Sequence, residues 1–496
     1  MAPSEKEGIE QGGTAVHAED IMKESTNYTL PPEESKSLLR KIDRCLLPVM
    51  AVSYFFQFLD KMALTSTAIL GIREDLNLTG GQYSWAGGIY YIGYLIASYP
   101  AGALMVRWKV GKTIATSVLV WGGILMFTAL SFNGAGLLAT RFMLGVAEAV
   151  IAPGLTIVIS MWYKREEQPL RHAAWFMGNT FAGIFGSLIQ YGIGHIQTIA
   201  PWKAVFLILG AITVSWSVGV FFLLPDTPMD AWFLSQTDRS KAVARVNENL
   251  TGIKSNEFKW AQCFEALRDP KTWFIFCIQM ASNIPNGGVT TFSAIVIKGL
   301  GFSTFNTLLL NSVSYILQLI MVLLCTIGST YLPNTRTYFM AFNYAVALVG
   351  AAMVRELPES QKWARFAGTC LLTGYSASFP LKMALMSGNF AGFTKKTTVY
   401  AISFIGYCAG NIIGPQLFFA HEAPTYTSAF LAMMICPSIG IVLALAFRVY
   451  LIWINRCRDK AAGGSGPVDT TDLQTGIALN LMDKTDLEMP QFRYVY

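Results

Sequence analysis

Residues 46–68 read LLPVMAVSYFFQFLDKMALTSTA, an apolar run whose only charged residues are the adjacent Asp60 and Lys61. A run of about 18 or more such residues can cross the roughly 30 Å hydrocarbon core of a bilayer as a helix. In lipid the backbone must satisfy its own hydrogen bonds, which favours helices. Charged side chains at that depth are expensive and mark function by default. This one stretch therefore raises two questions: how many such spans the chain holds, and what its rare polar groups do.

Eleven further stretches follow, near 83–105, 112–131, 136–162, 172–194, 202–224, 273–297, 306–330, 337–354, 363–387, 397–419 and 428–454. The reading is an all-α membrane protein with twelve transmembrane helices. A long polar interruption at 225–272 divides them into two six-helix bundles, 46–224 and 273–454. Residues 1–45, acidic at their start, are expected to form a disordered cytosolic tail, and 455–496 a second cytosolic tail. The first 35 residues lack the apolar core of a signal peptide.

Composition agrees. Of 496 residues 53% are hydrophobic and 14% charged, against about 25% charged in an ordinary soluble domain, and mean hydropathy is +0.42. Eight cysteines and four histidines are scattered, with no CxxC pair, which argues against a disulfide frame or a zinc site. No HExxH, nucleophile elbow, P-loop or dinucleotide-binding glycine pattern occurs. The chain therefore reads as neither an enzyme nor a nucleotide-driven pump, with no cofactor or metal implied.

Lysine and arginine placement orients the spans. Lys36, Arg40, Lys41 and Arg44 precede the first span. Arg107, Lys109 and Lys112 lie in the 2–3 turn, Lys164, Arg165 and Arg171 in the 4–5 turn, and Lys395 and Lys396 in the 10–11 turn. The central loop adds more, including Lys254. The alternate loops are poor in charge, apart from Arg355 and Lys362 between spans 9 and 10. Both termini and the central loop are thus expected in the cytosol. Asn77-Leu78-Thr79 on the opposite side is a glycosylation sequon.

Few ionisable groups lie inside spans. In span 4, Arg141, Gly145, Glu148 and Ala152 fall on one helical stripe. A carboxyl at mid-bilayer facing a cavity is costly to keep ionised, so Glu148 is the candidate proton-coupling residue, with Asp60 and Arg141 beside it. The alternative is an ion pair that only holds spans 1 and 4 together. Asp60 and Lys61 point about 100° apart on a helix and cannot both face a cavity. Lys61 is placed on the cavity as an anion contact, and Asp60 toward a partner such as Arg141. Lys382 in span 10 either snorkels to the interface or meets substrate. Asn283, Pro285, Asn286, Gly287 and Gly288 are expected to break span 7. Asn283, Asn286, Asn411 and Gln416 are candidate substrate-binding residues. Gly178, Gly183 and Gly186 of span 5 and Gly406, Gly410 and Gly414 of span 11 occupy equivalent places in the two halves and suit close helix approach. Such halves suit a rocking carrier with its site at the midplane.

These residues, together with Arg141-Phe-Met-Leu-Gly145-Val-Ala-Glu148, Leu224-Pro225-Asp226-Thr227-Pro228, Ile405–Gln416 and Asp486–Tyr494, resemble the major facilitator superfamily. Within it they are most similar to the anion:cation symporter branch typified by fungal allantoate permease. The resemblance implies a proton-coupled carrier, usually in a fungal plasma membrane, and usually monomeric. Its substrates across the branch include allantoate, nicotinate, pantothenate, biotin and dipeptides. Its partners are the lipid bilayer, protons and a small-molecule substrate, with no nucleic acid. Two departures stand out. Asp60-Lys61-Met62-Ala63 replaces a common Asp-Arg-x-Asn, and lysine lacks the planar fork that grips a carboxylate. Val106 stands where the 2–3 turn usually carries an acid. Export of a fungal specialised metabolite uses the same cycle in reverse and is the second reading. A transport-inactive nutrient sensor is the third, and it calls for a long signalling tail.

Overall fold

The computed structural model describes residues 31–164, 167–196, 198–247, 258–461 and 484–496. Span 1 is Pro32–Thr67, span 2 Gly80–Arg107 and span 3 Val110–Thr128. Span 4 is Gly134–Glu148 continued by Ile151–Trp162, span 5 Gln168–Ile193 and span 6 Pro201–Leu223. Span 7 is Pro270–Gly299, span 8 Thr304–Tyr331 and span 9 Arg336–Glu356. Span 10 is Lys362–Leu372 and Ser378–Asn389 joined by a 3-10 segment, Thr373–Ala377. Span 11 is Phe393–Gln416 and span 12 Thr427–Ala461. No strand occurs among the described residues.

Eight of these, spans 1, 3, 4, 6, 8, 9, 11 and 12, are long and apolar enough to cross a membrane. Spans 2, 5 and 7 carry polar centres, including Tyr90 and Tyr91, Asn179 and Gln190, and Asn283 and Asn286. Span 10 is interrupted. Polarity concentrates where helices face one another across the molecule rather than lipid.

Packing repeats between the halves. Spans 1 and 5, 2 and 4, and 3 and 6 pair in the first bundle; 7 and 11, 8 and 10, and 9 and 12 pair in the second. Between bundles, span 5 meets span 8 and span 2 meets span 11. The glycines of spans 5 and 11 serve this repeat. A Cβ on Gly178 would sit 2.4 Å from the Ala51 carbonyl oxygen of span 1, so only glycine admits that approach.

The expected break in span 7 does not occur. Pro285 lies inside a continuous helix. Its glycines bring span 11 close: a Cβ on Gly287 would lie 2.6 Å from the Asn411 carbonyl oxygen. The breaks fall instead in spans 4 and 10, at residues 149–150 and 373–377. Proline removes the bond to the carbonyl four residues back. Pro153 does so at Ala149 and Pro380 at Ser376, inside each break. The two interrupted spans hold equivalent places in the two bundles.

The tails also differ from expectation. Residues 32–45, expected to be disordered, begin span 1 as helix. Leu38 and Ile42 are buried, and the surface pairs Lys41–Asp238 at 2.8 Å and Lys241–Glu34 at 2.6 Å join this extension to the loop helix Gln236–Asn247. Residues 1–30 and 462–483 of the expected tails, with Arg165 and Lys254, lie outside the described residues. Span 12 continues to Ala461, and residues 484–496 dock beneath the second bundle. Asp486 is buried and pairs with Lys271, and with Lys395 at 2.8 Å. Asn389 and Asn455 bond the backbones of Val495 and Tyr494. The base of the bundle is thereby stapled across spans 7, 10, 11 and 12.

The two bundles are sealed against each other at the end where spans 1 and 2 join. The Tyr83 hydroxyl donates to the Thr291 carbonyl at 2.7 Å and the Ala294 amide to Thr65 Oγ1 at 3.3 Å. Asn311 donates to Ser187 at 3.3 Å and Ser312 to the Ile184 carbonyl at 3.0 Å. In the same half, the rings of His195 and Phe305 stack at 4.0 Å.

Candidate functional site

Polar side chains converge at mid-depth between the bundles. Glu148 ends the first segment of span 4 and is fully buried. Its Oε2 accepts from the Tyr90 hydroxyl at 2.6 Å, and its Oε1 has no hydrogen-bond partner among the described residues. Tyr90 lies in span 2, and Lys61 Nζ sits 5.4 Å from the centre of its ring and 4.4 Å from that of Tyr91. Such distances are those of cation–π attraction. Tyr91 in turn meets Tyr407 of span 11, ring centres 5.8 Å apart, so Lys61 stands at the boundary of the two bundles. The sequence reading places Lys61 on a cavity; the structure places it among tyrosines at this boundary.

Asp60 faces away from that boundary, but not toward Arg141. Its Oδ2 accepts from Trp121 Nε1 at 2.8 Å and from Thr213 Oγ1 at 3.0 Å. Span 1 packs against span 6 here, so the residue after the boundary face looks into spans 3 and 6. Asp60 Oδ1 is unpartnered among the described residues. Arg141 lies close enough to share the field of Glu148 and Asp60 but makes no ion pair with either: its Nε and Nη2 lack hydrogen-bond partners among the described residues, and its guanidinium lies 5.5 Å from the Phe206 ring centre. The expected Arg141–Asp60 contact is thus replaced by neutral donors to Asp60 and an aromatic face for Arg141.

The second bundle answers with amides. Asn411 Oδ1 accepts from Asn286 Nδ2 at 2.7 Å, and Asn411 Nδ2 donates to Asn283 Oδ1 at 3.2 Å. Tyr375, in the interruption of span 10, donates to Asn286 Oδ1 at 3.1 Å. Asn283 Nδ2 donates to the Gln279 carbonyl at 2.6 Å. Three of the four predicted amides therefore form one chain that ties spans 7, 10 and 11. Gln416 stands outside it, half-buried near Gly88 of span 2, with Nε2 unpartnered among the described residues. Lys382 does not snorkel: it is buried, and its Nζ donates to Ser282 Oγ at 2.5 Å.

Sequence reasoning missed Tyr90, Trp121, Thr213, Tyr375 and Ser282. A signal existed for the tyrosines. A buried hydroxyl requires a partner, and span 2 places Tyr90, Tyr91 and Tyr94 within about one turn at mid-depth. Trp121 and Thr213 carry no such mark in the sequence. The arrangement sets a buried carboxyl, a phenol and an ammonium group side by side at the boundary of the bundles.

The family model described as Major Facilitator Superfamily matches residues 50–415. A Schizosaccharomyces pombe protein named Uncharacterized transporter C757.13 is 34% identical over 97% of this chain and 91% of its own length. The allantoate permease of Saccharomyces cerevisiae is 34% identical over 96% of this chain and 89% of its own length. Among solved structures, a bacterial homolog of the human lysosomal transporter Spinster, inward-facing and occupied, superposes with a TM-score of 0.60. It is 14% identical, covering 85% of this chain and 97% of that one, and shows the shared fold. With its twelve spans, repeated pairing and mid-depth polar cluster, this secondary membrane transporter of small metabolites belongs to the Major Facilitator Superfamily, among the fungal allantoate-permease-like proteins.

Proposed function

We propose that the chain is a proton-coupled symporter of a small organic anion, vitamin or related polar metabolite, working by alternating access in the plasma membrane with both termini cytosolic. One observation carries the coupling. Tyr90 donates to Glu148 and presents its ring to Lys61, so the proton site and the anion contact share a side chain. When Glu148 is protonated, its charge no longer compensates Lys61, and an anion binds there more tightly. When the anion leaves, the proton leaves more readily. Linkage makes the two effects equal in free energy.

Asp60 and Arg141 shape the field around Glu148 from spans 1 and 4. Asn283, Asn286 and Asn411 hold the opposite wall as one hydrogen-bonded chain, while Gln416 leaves its Nε2 open to substrate. The lysine- and arginine-rich loops support a cytosolic 2–3 side, so the sealed end is the outer one and the structure is the outward-closed state. A monomer suffices, because both halves of the site belong to one chain. The name of the allantoate permease relative supports an organic anion as substrate.

The test is uptake of labelled allantoate, nicotinate, pantothenate and biotin into cells expressing the protein, with and without a protonophore. Uptake that needs both the protein and the gradient supports the reading. No uptake of any of them, with the protein verified at the cell surface, would sink it and favour export.

A further inference from the structure

A cation buried away from water needs a compensating charge. Several buried cations near the ends of the spans have one. Arg171 pairs with Asp43 at 2.7 Å, Arg245 with Glu167, and Lys271 with Asp486. Lys395 meets Glu265, Asp269 and Asp486 at 2.9, 2.9 and 2.8 Å. Among the described residues Lys382 departs from this, as Arg141 and Arg365 do, and of the three it alone is a lysine held by a hydroxyl. It is 2% exposed and has no ion pair among the described residues; its Nζ is held by the Ser282 hydroxyl.

Its position explains what compensates it. Phe379 precedes it by one helical turn, and Lys382 Nζ lies 6.0 Å from that ring centre. Phe379 stacks on Phe176 of the other bundle, ring centres 4.6 Å apart and 13° between planes. Lys382 is therefore one turn from the boundary between the bundles. Ser282 precedes Asn283, the end of the amide chain that leads through Asn411 to Asn286.

We propose that Lys382, oriented by Ser282, is the second bundle's cationic contact for the anionic group of the substrate. The proposal rests on the organic-anion reading above. An anion there supplies the counter-charge that Lys382 lacks, as Asp486 does for Lys271 and Lys395. The substrate class follows: a compact carboxylate, with a neutral amide or alcohol of the same shape rejected.

The test uses the purified full-length protein and the shift of its thermal unfolding midpoint with ligand. The probes are allantoate, nicotinate, pantothenate and biotin, with nicotinamide and panthenol as neutral counterparts. At least one carboxylate is expected to raise the midpoint, and its neutral counterpart to leave it unchanged. Lys382→Gln is expected to weaken that carboxylate's binding about thirtyfold or more, the scale for deleting one partner of a buried charge pair. Lys382→Arg is expected to retain part of it. Unchanged affinity in Lys382→Gln, with wild type binding, overturns the role of Lys382 and leaves the anion reading standing. Wild type that responds to no carboxylate overturns both. Should Lys382→Gln fail to fold, Ser282→Ala decides: severalfold weaker binding supports the proposal, and unchanged binding overturns it.

Discussion

At mid-depth the first bundle carries Asp60, Arg141 and Glu148, whereas the second, Lys382 apart, is built from amides. Asp60 and Glu148 each leave one carboxylate oxygen without a partner among the described residues, and Arg141 leaves two nitrogens so. Across the boundary, Asn283, Asn286 and Asn411 satisfy one another. The two halves share one packing plan, spans 1 and 5 matching 7 and 11, yet divide the chemistry. An unsatisfied charged group is poised to change protonation or partner; a closed amide chain is poised to stay. The first bundle thus reads as the switching half and the second as the shaping half.

Four substitutions test that contrast. The largest effect is expected from Glu148→Gln. Loss of a coupling free energy at the upper end of the usual range lowers gradient-driven uptake about 150-fold, while exchange of internal for external substrate persists. Proteoliposomes with and without an imposed pH gradient measure both, and gradient-driven uptake that survives would place the switch elsewhere.

Asp486→Asn comes next, in the second bundle and away from the boundary. It leaves Lys271 and Lys395 short of a counter-charge and is expected to cost about 3 kcal/mol, read as a lower unfolding midpoint with proton dependence intact. The same residue sets a pH expectation. Burial raises the Asp486 carboxyl, but Lys271 and Lys395 more than offset this and hold it below its ordinary 3.8. A carboxylate depressed in the folded state contributes fully above its ordinary value and loses that contribution as pH falls through its folded value. The tail contact should therefore withstand any cytosolic acidification and fail only below pH 3.8; proteolytic release of the tail in mild acid would contradict this.

Asn411→Ala strands Asn283 Oδ1 and Asn286 Nδ2 and is expected to cost about 2 kcal/mol. Stability should fall without a change in the pH profile of uptake. A changed profile with unchanged stability would reverse the assignment of the two halves. Tyr90→Phe removes one donor to Glu148 while keeping the ring beneath Lys61, an effect of about 1 kcal/mol or fivefold. It should weaken proton dependence more than substrate affinity, and equal losses in both would argue that Tyr90 is only packing.

The spans were legible because lipid demands long apolar runs, and the side of Lys61 was legible because adjacent helical residues diverge by about 100°. The positions of the breaks were not. Pro285, Pro153 and Pro380 look alike in sequence, yet only the last two sit at interruptions. What proline does depends on whether neighbouring helices tolerate the freed carbonyl. The helical start at Pro32 was hidden because Lys41 finds its partner, Asp238, 197 residues away. Trp121 and Thr213 were hidden for the same reason: a donor to Asp60 is recognised only when spans 3 and 6 are beside span 1.

The docked segment 484–496 bears on how the protein is made. Lys271 and Lys395 are synthesised before Asp486, so the ionic cluster at the base of spans 7 and 11 stays incomplete until residue 486 is in place. A chain halted short of residue 486 keeps Asp269 beside Lys271 at 3.4 Å, and Glu265 and Asp269 beside Lys395, each lysine one carboxylate short. The order of synthesis thus makes the docked segment the last member to join this ionic cluster.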